Sequence, residues 1–185
     1  MPVSNVHVYG LEESVAASKY PMAVETSACT PEITERVRSL AGAPAGSGHD
    51  QFLTGIICQF DLTFSIKAWV EAERYHFLDF VSSQSTMHRI TKLNPEAQCN
   101  EYVNYCVIEI LKLLIARYND DPTPENYLRV LYNVPTGYKL TARMTTNYRQ
   151  LKTIYHQRKN HRLPEWRAFC KWIETLPQSE LITKG

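Results

Sequence analysis

The sequence predicts one α+β domain, and three observations carry that expectation. Two runs, 60–67 and 138–145, alternate apolar and polar residues with the period of a strand. Three segments put a proline just inside the start of an amphipathic helix: Thr30-Pro31-Glu32, Thr123-Pro124-Glu125 and Leu163-Pro164-Glu165. With 185 residues, 44% of them hydrophobic, the chain can bury one core without disulfides or metals.

Taken in order, residues 1–10 lack the basic-then-apolar layout of a secretory leader. Thr30 is expected to cap a helix that runs to Leu40, with Gly42 past its end and the loop Ala43-Pro44-Ala45-Gly46-Ser47-Gly48 beyond. Phe60, Leu62, Phe64 and Ile66 alternate with Asp61, Thr63, Ser65 and Lys67, so one face of that strand should be buried. From 68 to 81 the pattern turns helical or irregular. A long helix over 101–118 carries Val103, Val107, Ile110, Leu111, Leu114 and Ile115 on its apolar side. Asp120-Asp121-Pro122 breaks it, and Thr123 caps a shorter helix.

In the second alternating run Tyr138, Leu140, Ala142 and Met144 oppose Lys139, Thr141, Arg143 and Thr145, and the strand leads straight into a helix near Asn147. Asn147, Leu151, Ile154 and Arg158 share one face of that helix. Eleven residues separate the first from the last, roughly 16 Å at the helical rise, a span that a nucleotide could fill. The last helix puts Trp166, Phe169, Cys170 and Ile173 on its core side and stops near Pro177. There is no internal repeat, and no loop is long enough to mark a second domain, so residues 1–185 read as one.

Composition excludes several classes. Twenty basic residues against 19 acidic ones, with only 7 Gly and 10 Pro, rule against a disordered tail, a collagen-like chain or a uniformly basic nucleic-acid coat. The balance hides an asymmetry: residues 139–171 hold nine Lys or Arg against Glu165 alone, a local +8 that suggests an anion site. Nucleic acid is disfavoured, because aromatics are not interleaved as a stacking platform. The stretch 107–116 is interrupted by Glu109 and Lys112, so no membrane span is expected. Five cysteines without a CxxC pair point to a reducing, cytoplasmic setting with buried, inert thiols.

The chemistry-bearing residues admit two readings each. Arg158 suits a phosphate or base, or is a solvated arginine. Asn147 is an N-cap, a ligand, or both. Glu71, Glu73, Arg74, Tyr75 and His76 could position a pyrimidine or do acid/base work, or form a surface ion-pair network with packed aromatics. Ser82, Ser83 and Ser85 could cradle a phosphate or be an ordinary turn. His156 and His161, five apart, lack zinc spacing, and no metal is expected. Trp69, Phe77, Phe80, Trp166 and Trp172 read as core.

Met144-Thr145-Thr146-Asn147-Tyr148-Arg149-Gln150-Leu151 resembles the strand-to-helix segment of flavin-dependent thymidylate synthases, with its Asn, any residue, Arg. Arg158 follows Asn147 at the distance of that family's nucleotide-binding arginine. The segment 123–131 is similar to the family's short helix with a second such arginine, here Arg129. Gly48-His49-Asp50 resembles its Gly-His-Glu turn, and 62–67 its first core strand. At the Arg-His-Arg signature stand Arg74-Tyr75-His76; Ser85 and Arg89 take the later Ser and Arg if the loop is longer, and Gly55 and Glu71 stand where the family has His and Gln.

The resemblance implies a mixed sheet with long helices, a homotetramer, and methylation of dUMP with methylenetetrahydrofolate, FAD and NADPH. It assigns Arg74, Tyr75, His76 and Asn147 to the cofactor, and Arg129, Arg149, Arg158, Ser85 and Arg89 to a pyrimidine deoxynucleotide. His76, Glu71 and Ser85 become the catalytic candidates. Two alternatives follow from the altered signature: a nucleotide-binding protein on the same fold without redox chemistry, acting as sensor, sequestering protein or inactive subunit, and a flavin-free, folate-dependent pyrimidine nucleotide-modifying enzyme.

Overall fold

Phe60, Leu62 and Phe64 are fully buried while Gln59, Asp61 and Thr63 between them stay half-buried, so the alternation of the sequence becomes a strand with one wet face. The computed structural model describes residues 3–44 and 46–184. Ala45 of the expected loop, and Met1 and Pro2 of the segment read for a leader, lie outside the described residues.

The chain begins with β1 (Val3–Tyr9), α1 (Leu11–Ala17) and α2 (Glu35–Ala41), then β2 (Ile57–Ser65) and α3 (Ile66–Ala72). After β3 (Asp79–Ser83) come the short helices α4 (Thr86–Arg89) and α5 (Pro95–Gln98), the long α6 (Tyr105–Asp120) and α7 (Pro124–Leu131). β4 (Lys139–Asn147), α8 (Tyr148–Arg158), α9 (Pro164–Ile173) and α10 (Glu180–Thr183) complete it. This is an α+β architecture. No helix among the described residues is long and apolar enough to cross a membrane.

The four strands form one sheet in the order β1-β2-β4-β3. β1 is antiparallel to β2, Val3 opposite Leu62 and Tyr9 opposite Ile57, with an irregularity between Ser4 and His7. Tyr148 N donates to Ile56 O (3.0 Å) at one end of the β2–β4 pair, and Ile66 N to Tyr138 O (2.9 Å) at the other, which makes that pair antiparallel too. The sheet is antiparallel, not mixed as expected.

Caps account for the boundaries that differ from expectation. Thr34, not Thr30, starts α2: its hydroxyl accepts from Val37 N (3.4 Å). Ser65 accepts from Ala68 N (3.3 Å), so Ile66 and Lys67 open α3 instead of ending β2. Asn104 accepts from Cys106 N (2.9 Å), so α6 begins at Tyr105 and not at Glu101. On α6 only Leu111 and Ile115 are buried, whereas Val107 and Ile110 of its expected apolar side are exposed. Gly10 is required by the turn after β1: at φ 70°, a Cβ there would come within 2.6 Å of the Gly55 carbonyl oxygen.

The chain forms two compact units. One takes the chain up to Leu62, Arg74–Val81 and the chain from Arg143 onward; the other takes Thr63–Glu73 and Ser82–Ala142. The first is centred on aromatics, with the Phe60 ring 5.6 Å from Phe169 and 4.6 Å from Trp172. In the second, Ile90, Leu111, Ile115, Val130 and Tyr138 share a core, and α5 and α7 pack on α6.

Candidate functional site

Helix α8 builds the site because β4 delivers Asn147 to its first turn. The Asn147 Oδ1 accepts from Gln150 N (2.8 Å), which satisfies one of the helix's orphan donors and leaves the amide nitrogen without a partner among the described residues. From there the helical period separates two faces. Leu151 and Ile154 are fully buried and Arg158 is 5% exposed, so the expected span from Asn147 to Arg158 is core and holds no nucleotide between its ends. Arg149, Thr153 and Gln157 look the other way, onto a cavity.

That cavity lies within the first unit, has a volume of about 740 Å³ and counts Pro44 and Phe77 among its apolar lining. Its volume suits a drug-sized or cofactor-sized ligand. Asp50, 3% exposed, lies at its edge and accepts from Arg149 Nε (3.1 Å) and Lys152 Nζ (3.2 Å). Arg149 Nη1 donates to Gln51 Oε1 (2.9 Å), and its Nη2 group has no partner among the described residues. Lys152 also donates to Ala41 O (2.6 Å) and Ala43 O (2.8 Å) at the end of α2, so all three of its hydrogens are used. Two cations against one carboxylate leave a local charge of +1. One forked donor, Arg149, is free to meet an anion.

His156 also lines the cavity. Burial, followed by the charges of Lys159 and Lys152, pushes its imidazole below the ordinary value of 6.5. It is therefore neutral at pH 7, and its Nε2 is buried without a hydrogen-bond partner among the described residues.

Behind the cavity, Arg158 Nε donates to the Tyr75 hydroxyl (2.6 Å), and that hydroxyl donates to Gln157 Oε1 (3.0 Å). The Arg158 guanidinium carbon sits 5.5 Å from the Tyr75 ring centre and 4.9 Å from that of Trp166, and Nη1 meets His161 Nε2 at 2.7 Å. Arg158 is thus an interior residue.

The other sequence-predicted residues belong to both units. In the first unit, Arg74 is exposed, its guanidinium 6.0 Å from the Tyr75 ring centre, and His76 is exposed without a hydrogen-bond or ion-pair partner among the described residues. In the second unit, Glu71 pairs with Lys67 (3.4 Å), Arg129 pairs with Glu125 (2.6 Å), and Arg89 is exposed at the end of α4. Ser85 precedes α4 without capping it through its side chain, and Ser82 and Ser83 belong to β3 instead of a turn.

Of the aromatics expected in the core, Trp166 and Trp172 are buried, but Phe77 is 63% and Phe80 53% exposed. Burial lifts the Cys58 and Cys170 thiols to about 12, so neither is a nucleophile at neutral pH. Cys29 is half-buried and Cys106 exposed, against the expectation that all five are buried. Asp50, Lys152, Gln157 and Phe77 were not foreseen in these roles. The available signal was Arg149 and Lys152, two cations three apart on one helix, which need a carboxylate if either is buried.

No protein-family model matches the chain, and no curated protein matches it. The fold is that of the flavin-dependent thymidylate synthases. A crystal structure of flavin-dependent thymidylate synthase ThyX from Helicobacter pylori, complexed with FAD and dUMP, superposes with a TM-score of 0.76 at 16% identity, over 99% of this chain and 97% of that one. A second structure of ThyX from the same organism, also with FAD and dUMP, gives a TM-score of 0.70 at 16% identity, covering 97% of each chain.

Proposed function

We propose that this chain is a flavin-dependent thymidylate synthase-like enzyme that methylates dUMP, using methylenetetrahydrofolate and NADPH, with FAD in the cavity of the first unit. The observation that carries the reading is that cavity, of about 740 Å³, with the partly free Arg149 guanidinium and the Asn147 amide nitrogen at its rim. The residues present fit a flavin. Phe77 and Pro44 offer an apolar wall to a planar ring, Asn147, Gln157 and Arg149 offer donors to its polar atoms, and the local +1 suits an anionic tail. When bound, flavin supplies the hydride chemistry.

In this reading Asn147 and Arg149 hold the cofactor, and Tyr75 and Arg158 support the site from behind. Arg74 and His76 are exposed side chains available to ligands, as are Arg89 and Arg129 in the second unit, with Ser85 and Glu71 as further substrate-side candidates. The chain works as one domain, in a homotetramer in the cytoplasm. The test is an absorbance spectrum of the protein after incubation with FAD and desalting, with and without dUMP. Retained flavin that Arg149→Ala weakens roughly tenfold or more supports the reading, since charged hydrogen bonds contribute about 1.5–3 kcal/mol. A protein that retains no flavin overturns it.

A second reading has one observation in its favour: among the described residues His76 is exposed without a hydrogen-bond or ion-pair partner, and the Ser85 side chain caps no helix. This is a nucleotide-binding protein on the same fold, without redox chemistry. A colourless protein that binds dUMP would decide for it.

A further inference from the structure

The polarity of the cavity wall at Gln157 is fixed by residues the ligand does not touch. An arginine guanidinium has five hydrogens and accepts nothing, so where Arg158 Nε meets the Tyr75 oxygen at 2.6 Å the arginine donates. The phenol then spends its single hydrogen elsewhere, and the acceptor within reach is Gln157 Oε1 at 3.0 Å. Tyr75 is 5% and Arg158 also 5% exposed, so water does not supply a substitute for the bond between them. With its oxygen engaged, the Gln157 amide presents its NH₂ group, which has no partner among the described residues, and Gln157 lines the cavity.

We propose that Arg158 and Tyr75 are positioning residues that hold Gln157 as a hydrogen-bond donor, and that Gln157 reads a ring carbonyl on the cavity's ligand. The substrate class is a heterocycle with a pyrimidinedione edge, and it selects against rings with an amino group at that position. A donor facing an amino group leaves two donors opposed, whereas a donor facing a carbonyl completes a hydrogen bond. The inference rests on the functional reading above and adds the direction of one hydrogen bond. The edge in question occurs both in the flavin ring and in uracil.

Substituting the two side chains separates position from packing. Gln157→Glu changes an exposed side chain and turns the donor into an acceptor with a negative charge. Tyr75→Phe keeps the ring, which sits edge-on to Trp166 at 5.7 Å, and removes only the relay. Each protein is titrated with FAD, dUMP and dCMP in separate arms. In the arm of the true ligand, Gln157→Glu weakens binding roughly tenfold or more, and Tyr75→Phe about fivefold, on the scale of one hydrogen bond.

If the ligand is the nucleotide, both variants also shrink the preference for dUMP over dCMP; if it is the flavin, only the FAD arm moves. Infrared difference spectra then show the ring carbonyl band of the bound ligand at higher frequency in Gln157→Glu than in the wild type, a change that loss of packing alone does not produce. Wild-type binding with unchanged affinity and carbonyl band in both variants overturns this inference alone. Failure of the wild type to bind FAD or dUMP overturns the functional reading, and this inference with it.

Discussion

Replacing Asp50 by Asn tests whether a buried charge cluster holds the cavity wall. The Asp50 side chain is 4% exposed and that of Lys152 11%, so both charges have left water, and each offsets the other's desolvation. Asp50→Asn keeps the shape but leaves the Lys152 ammonium with two carbonyls and no countercharge. Breaking a buried pair from one side costs about 3–5 kcal/mol; the lower end applies here, because Ala41 O and Ala43 O stay on Nζ and the 33% exposed Arg149 can turn to solvent. About 3 kcal/mol lowers Tm by roughly 6–12 °C in a chain of this size.

Urea denaturation at pH 7 measures the loss directly, with unchanged m-value as the sign that the variant still unfolds as the wild type does. Lys152→Met and the double variant complete a cycle, in which the two changes together cost less than their sum by about 1.5 kcal/mol or more. A loss below about 1 kcal/mol for Asp50→Asn, or strict additivity in the cycle, refutes the reasoning, because the pair would then behave like an exposed one.

Three other outcomes follow from the same physical reading. Thr34→Ala should cost about 1 kcal/mol by chemical denaturation while Thr30→Ala costs a few tenths at most, since only Thr34 caps α2; the reverse order would restore the cap inferred from the sequence. His156 has its pKa lowered in the folded state, so the unfolded chain takes up the proton first: its contribution to stability is complete above 6.5 and is lost as pH falls below it. His156→Gln should flatten that part of the stability–pH curve, and an unchanged curve would show that the imidazole is not held neutral. Leu151→Ala should cost about 3 kcal/mol, the price of a fully buried leucine, where a ligand-facing residue would cost little stability and much affinity.

What the sequence made legible was whatever one buried face had written into its period. β2 and β4 are half-buried strands, and their alternation gave them away. β3 is exposed at all five positions and β1 buries only Val3, so neither has an alternation to read. The α2 cap was misplaced because Thr30-Pro31 and Thr34 offer the same local signal, and only the Thr34 hydroxyl meets a helical N–H. Within the candidate site, the N-cap at Asn147 was local and legible. Asp50 and Lys152 lie 102 residues apart, and a carboxylate that far upstream leaves no periodic trace.

Arg158 illustrates the remaining difficulty. Its register with Asn147, Leu151 and Ile154 is correct, but a helix face that is regular in sequence can be turned toward core or ligand, and periodicity is silent on which. What settles it is the partner. Tyr75, standing at the second position of the resembled signature, buries the guanidinium against its own ring and takes its Nε hydrogen. A phosphate ligand at Arg158 would have to displace a bond in which neither partner can be reached by water, whereas at Arg149 it would meet a fork whose Nη2 hydrogens are unclaimed among the described residues. In the functional reading proposed above, the guanidinium of α8 that faces a ligand is that of Arg149 in the first turn, while that of Arg158 in the last turn donates to Tyr75.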